Sequence, residues 1–204
     1  YIGDVRASLR VCSARGLDTE APTAQILTPQ ELVVHTASFD AAGRKLSLVQ
    51  TGRDYARDLF VTDLRQPAVA TRLTSVNPQV DTWKLPQQSR ITWKGAHGDE
   101  VEGILELPPD YKPGTQLPLI VQLHGGPTGS EYLGFKFSIY GHTLLASQGY
   151  AMLSPNYRGS TGYGDKFLVD LIGHENEIEV EDILKGIDAL IERGIADPQR
   201  LGVM

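Results

Sequence analysis

Apolar and polar residues alternate in short runs over the first third of the chain, then give way to longer apolar runs and a helical stripe. Glu31 to Phe39 is rich in Val and Thr with partial alternation, and Leu46 to Gln50 and Leu59 to Leu64 follow as further short runs. Polar turns, Asp40-Ala41-Ala42-Gly43 and Thr51-Gly52-Arg53-Asp54, separate them, and Val69 to Leu73 supplies a fourth candidate strand. Short strands with regular turns predict a meander, as in a propeller blade or a sandwich. Thr74 to Ser89 breaks the pattern with Asn77-Pro78 and Leu85-Pro86 and reads as a linker.

From Arg90 the pattern changes. Arg90 to Trp93 and Val101 to Leu107 predict two strands around the turn Ala96-His97-Gly98-Asp99. Leu117 to Leu123 is nearly all apolar, as a strand covered on both faces should be, and Tyr150 to Leu153 is a second such run. Glycine-rich loops follow both, at 124–129 and 156–164. Ile139 to Ser147 is predicted helical, and Ile178 to Arg193 more clearly so. In the latter, Val180, Ile183, Leu184, Ile187, Leu190 and Ile191 recur at helical spacing, and Gly194 stands where a C-cap glycine belongs. Leu201 to Met204 opens another strand. Strands alternating with helices predict a parallel α/β sheet.

The 204 residues suit one large domain or two small ones. Hydrophobic residues at 41% and charged residues at 22% are ordinary for a globular protein. A net charge of −6 argues against nucleic-acid or anionic-membrane partners, which call for clustered Lys and Arg. The single cysteine, Cys12, excludes an internal disulfide and reads as an idle or packed thiol. No apolar run approaches the ~20 residues of a membrane span. No leader is visible, but a chain that opens on Tyr1 in mid-pattern gives that little weight, and the compartment stays unassigned.

Two loops hold the candidate chemistry. His124-Gly125-Gly126-Pro127 follows directly on a buried strand, and paired glycines there let backbone N–H groups approach a ligand unobstructed. Such groups can stabilise the oxyanion of an attacked carbonyl, and an HGGG-type loop does so in α/β-hydrolases. A tight turn that binds nothing fits equally well. His124 reads as a structural hydrogen-bonding residue, since no partner carboxylate is evident. The second loop, Pro155 to Gly164, sets Tyr157 and Arg158 among glycines, either at a cleft or with Arg158 paired to a carboxylate in a rigid connector. The chain has no Gly-x-Ser-x-Gly elbow; Ser160, in Gly-Ser-Thr-Gly, is one residue too tight. His35, His97, His142 and His174 fall in no triad context, and no metal-ligand or dinucleotide spacing appears, so no metal and no cofactor is expected.

In order, Ile120-Val121-Gln122-Leu123-His124-Gly125-Gly126-Pro127, then Asn156 to Gly164, Val180-Glu181-Asp182, Gly186-Ile187-Asp188 and Asp197 to Met204 resemble the catalytic domain of the prolyl oligopeptidase family. The resemblance is nearest its acylaminoacyl-peptidase and dipeptidyl-peptidase branches. It covers Ser89 to Met204, and more weakly Leu32 to Asn77 as the last blade of the family's β-propeller. His174 to Glu179 departs from it in being more acidic than that family's loop before this helix.

The resemblance implies an α/β fold: the end of a propeller and a linker over 1–80, then the N-terminal half of an α/β-hydrolase domain over 81–204. It implies a serine peptidase that cleaves short peptides through an acyl-enzyme, with a carboxylesterase or a non-catalytic binding protein as alternatives. It implies that the catalytic Ser, Asp and His lie beyond Met204, so that the chain alone is inactive and its last strand belongs at a sheet centre. By resemblance, Gly126 or Gly125 supplies an oxyanion-hole N–H, with His124, Tyr157 and Arg158 beside the cleft. Homo-oligomerisation is left open.

Overall fold

The computed structural model describes residues 10–11, 25–26, 32–66, 69–126, 128–136 and 141–204. Cys12 lies outside them. They divide into two compact units, one up to Thr82 and one from Trp83 onward.

In the first unit, β1 (Arg10–Val11) pairs antiparallel with β2 (Gln25–Ile26). The strands β3 (Val33–Phe39), β4 (Lys45–Thr51), β5 (Asp58–Asp63) and β6 (Ala70–Arg72) then form an antiparallel meander in sequence order. Alternation decides which side faces in: Leu46, Leu48 and Gln50 of β4 and Asp58, Phe60 and Thr62 of β5 are buried. Leu46, Leu48 and Phe60 make the core, packed by Val34, Tyr55, Leu64 and Ala70. Of the polar members of that face, Thr62 donates to Val69 O at 2.9 Å and Gln50 Nε2 to the Tyr55 hydroxyl at 3.1 Å, while Gln50 Oε1 is buried without a partner among the described residues. Burial pulls the Asp58 carboxyl up, but the Thr74 hydroxyl, the Val76 N–H and Arg72 outweigh it and hold it below its ordinary value.

The second unit is built on five strands: β7 (Gln87–Lys94), β8 (Glu100–Leu107), β9 (Leu117–Val121), β10 (Ala151–Asn156) and β11 (Ala196–Val203). They lie in the order β11-β9-β10-β8-β7. The expected parallel sheet is a mixed one. β9 runs parallel to both β10 and β11, whereas β8 is antiparallel to β10 and to β7. The tight turn at Ala96–Gly98 accounts for the β7–β8 pair, because it leaves no room for a crossover between those two strands.

Among the described residues three α-helices accompany the sheet: α1 (His142–Ser147), α2 (Asp165–Val169) and α3 (Ile178–Glu192). The expected helix over Ile139 to Ser147 is described only from Gly141 onward, and α2 was not foreseen. α3 packs against β7 and β11. The core holds Trp93, Val101, Leu105, Leu119, Val121, Leu153 and Leu190, joined by Ile183, Ile187 and Ile191. Each such aliphatic side chain contributes about 1.5–3 kcal/mol when fully buried.

The buried face of α3 is rotated from the predicted stripe. Ile178, Asp182, Gly186 and Leu190, four residues apart, point inward, while Val180 and Leu184 are exposed. The reason is Trp93, whose indole lies against Gly186 and donates from Nε1 to the Asp182 carbonyl at 2.7 Å. The acidic approach to α3 also has a local use. The Glu179 carboxylate accepts the Asn176 N–H, and Glu179 and Glu181 sit in the first turn, where negative charge suits the helix dipole.

Candidate active site

β9, β10 and β11 run parallel, so their carboxyl ends lie on one side of the sheet, where α/β folds bind ligands. The loop after β9 carries His124, Gly125 and Gly126; the loop after β10 carries Tyr157, Arg158 and Ser160. Gly125 and Gly126 are exposed, and among the described residues neither N–H donates to another backbone group. Gly126 takes φ +123°, a conformation that L side chains resist.

The second loop grips the first. The Tyr157 hydroxyl donates to the His124 carbonyl, and its ring stacks on the imidazole at 4.5 Å and 9°. His124 Nε2 lies 2.8 Å from Ser160 Oγ, and Thr161 N–H donates to Gly129 O at 3.1 Å. Burial raises the Tyr157 phenol, with Glu179 and Glu131 adding to it, so the ring stays a donor at neutral pH. Burial lowers His124 below the usual imidazole value, which keeps it neutral there.

Two amide side chains extend the grip. Asn156 Oδ1 accepts the Glu131 N–H at 2.6 Å while its Nδ2 donates to Glu131 O at 2.9 Å. Gln88 does the same for Gly134, at 3.1 Å both ways. Each amide imitates a neighbouring strand and pins one residue of the 128–136 stretch to the sheet. Neither clamp was anticipated from sequence; a fully buried asparagine closing the apolar strand β10 was the available signal.

Arg158 is buried in an ion network. Its side chain is 1% exposed and meets Asp170, Asp182 and Asp99, with NH2 donating to Ala96 O at 3.2 Å. The Asp182 carboxylate accepts Ala96 N–H at 2.7 Å and Arg158 N–H at 2.9 Å. The guanidinium therefore braces the second loop against α3 and the turn between β7 and β8. Sequence quoted Asp182 without a role; its place in the inward column of α3 marks it.

The prolyl oligopeptidase family model matches residues 135–204, which hold the second loop, α3 and β11. That part of the chain belongs to the prolyl oligopeptidase family. An acylamino-acid-releasing enzyme of Arabidopsis thaliana is 44% identical over 87 residues, covering 43% of this chain and 11% of that protein. Dipeptidyl-peptidase 5 of Porphyromonas gingivalis is 30% identical over 150 residues, covering 72% of this chain and 21% of that protein. The solved structure of an acylaminoacyl peptidase of Pyrococcus horikoshii superposes with a TM-score of 0.75 at 26% identity, covering 91% of this chain and 28% of that one. The chain thus spans a minor part of the length of the family members it matches.

Among the described residues no group of three or more His, Cys, Asp or Glu is placed to hold a metal ion, and no helix is long and apolar enough to cross a membrane. A cavity of about 420 Å³ opens between Trp83, Leu85, Phe135 and Leu144, and none of its lining residues belongs to the two glycine loops.

Proposed function

We propose that the whole protein is a serine peptidase that hydrolyses short peptides through an acyl-enzyme, and that this chain supplies its oxyanion loop. The observation that carries the reading is the register of β11. Met204 N–H donates to Val121 O and Leu123 N–H to Met204 O, both at 3.0 Å. The backbone following Met204 is thereby aimed at the side of the His124-Gly125-Gly126 loop. A nucleophile delivered there on a strand-to-helix turn lies next to two unpaired N–H groups.

In this reading Ser, Asp and His come from outside the chain, as in the Ser-His-Asp template. A substrate carbonyl is attacked by the serine, its oxygen gains charge, and Gly126 or Gly125 N–H donates to it. His124 and Tyr157 hold those N–H groups in place, and Arg158 braces them. The β3–β6 meander is the final blade of a propeller that restricts entry to short substrates. That, together with matched relatives named as peptidases, favours a peptidase over a carboxylesterase. An acylaminoacyl peptidase has been solved with a peptide chloromethyl ketone, which fits a peptide substrate here.

Fluorophosphonate labelling followed by intact mass measurement tests this reading. The 204-residue chain, with no Gly-x-Ser-x-Gly, should stay at 22.3 kDa, and the full-length protein should gain one adduct and cleave N-blocked di- and tripeptide amides. An adduct on Ser160, or a full-length protein that takes no label and cleaves nothing, overturns it.

A further inference from the structure

Ser160 is not placed as a nucleophile. It is fully buried, and its Oγ lies 2.6 Å from the Tyr157 carbonyl and 2.8 Å from His124 Nε2. A serine hydroxyl has one proton, and a carbonyl oxygen can only accept. At 2.6 Å that proton must lie between Ser160 Oγ and Tyr157 O, since two bare oxygens at that distance repel. Ser160 then has only lone pairs to offer His124, so Nε2 must carry the imidazole proton. In the neutral ring, Nδ1 is bare.

The bare nitrogen matters because of what it faces. Nδ1 lies 3.3 Å from Gly125 O, within hydrogen-bond reach but longer than the 2.8 Å between Nε2 and Ser160 Oγ, so the shorter pair decides where the proton sits. That carbonyl and the Gly126 N–H belong to one planar peptide unit, so one cannot turn without the other. A proton on Nδ1 would bond Gly125 O, draw it toward the ring and swing the Gly126 N–H with it. A lone pair on Nδ1 makes no such bond. Gly129 leaves the space in which the two atoms meet: a Cβ there would sit 2.7 Å from each. The charges that bear on the imidazole, Glu131 and Lys136, are ion-paired with each other, so neither acts on Nδ1 as an isolated charge.

We propose that Ser160 is a positioning residue: through its hydrogen bonds to Tyr157 O and His124 Nε2 it locks His124 in the Nε2–H tautomer and so sets the direction of the Gly126 N–H. The catalytic part of this inference rests on the oxyanion-loop reading above; the tautomer does not.

The test is long-range proton–nitrogen NMR on the intact protein labelled with nitrogen-15 histidine, using His124→Gln to assign the His124 signal among the other histidines. Wild type should show a protonated Nε2 and a bare Nδ1 at neutral pH. In Ser160→Ala the constraint is gone, and a substantial fraction of the proton should move to Nδ1. In the same variant kcat for a peptide amide should fall roughly tenfold with KM within about twofold, as for misaligned groups that act in the transition state. A wild-type Nδ1–H tautomer overturns the proposal by itself, so the test stands even if Ser160→Ala fails to fold. It is also overturned if kcat falls without a tautomer change, or if the tautomer changes and kcat does not. A wild type that hydrolyses nothing defeats the peptidase reading alone, because the spectrum still decides the tautomer.

Discussion

Buried charge separates the side chains of the second unit into two kinds. Arg158 meets three carboxylates and a carbonyl, and removing such a partner from a buried ion network typically costs about 3–5 kcal/mol. Glu106 is different. It is 4% exposed, and its carboxyl accepts a hydrogen bond from the neutral Gln88 amide. Burial raises its pKa; the Gln88 bond and the charge of Lys136 oppose this, and Glu131 adds to it. The sign of the pH dependence follows. A folded value above the ordinary 4.5 means that the folded state holds the proton more tightly, so the stability from Glu106 is fully present below pH 4.5 and is lost as pH rises through the raised value. Glu106→Gln keeps the shape and an oxygen to accept from Gln88 but cannot ionise. At pH 7 the variant should therefore be more stable than wild type, by on the order of 1 kcal/mol. Thermal melts from pH 4 to 8 should show that advantage shrinking as pH falls. An equal difference at every pH would mean that packing, not ionisation, decides at this position.

Helix α3 shows how a contact can reverse a propensity. Gly186 lies mid-helix, where Ala normally gains about 1 kcal/mol. Here a Cβ would stand 2.8 Å from two atoms of the Trp93 indole, which is fixed by its bond to the Asp182 carbonyl. Overpacking of this kind costs about 1–3 kcal/mol. Gly186→Ala should lower the denaturant midpoint, and a raised midpoint would show that the indole can move aside. The same contact marks the limit of what sequence could tell. Spacing located α3 and its end at Gly194, and apolar runs located β8, β9 and β10, because those patterns record burial directly. The rotation of α3 depends on Trp93, nearly ninety positions away, and no period within the helix records that. The loop after β9 was legible as glycines after a buried strand. Its supports were not, since the Gln88 and Asn156 clamps join side chains to distant backbone, and a lone amide in a sequence carries no mark of its partner. The role of Ser160 was equally hidden: Gly-Ser-Thr-Gly excluded an elbow but said nothing of the proton the hydroxyl must give to Tyr157 O.

Across the five-stranded sheet, the two edges differ in a way that bears on the behaviour of the whole chain. At the β7 edge, Gln87, Ser89, Arg90, Thr92 and Lys94 blunt the strand with polar and charged groups, a common defence against edge-to-edge pairing. At the β11 edge, Leu201 is 46% and Val203 70% exposed, and the run Leu201-Gly202-Val203-Met204 has no charged side chain. Its expected place was the centre of a sheet; among the described residues β9 pairs with one side and no strand pairs with the other. An apolar strand end whose outer backbone groups pair with no strand among the described residues is a template for another strand, and in the 204-residue chain the most abundant partner is a second copy. That chain should therefore self-associate with rising concentration. Val203→Lys places a charge on the open edge without touching the buried core and should shift sedimentation at tens of micromolar toward the monomer. Unchanged association in the variant would assign the contact to another surface, such as the exposed Val180 and Leu184 on the outer face of α3. Full-length protein gives the complementary measurement: if a further strand covers β11 there, Val203→Lys should lower its thermal stability instead of its tendency to associate, because the new charge would then have to be buried.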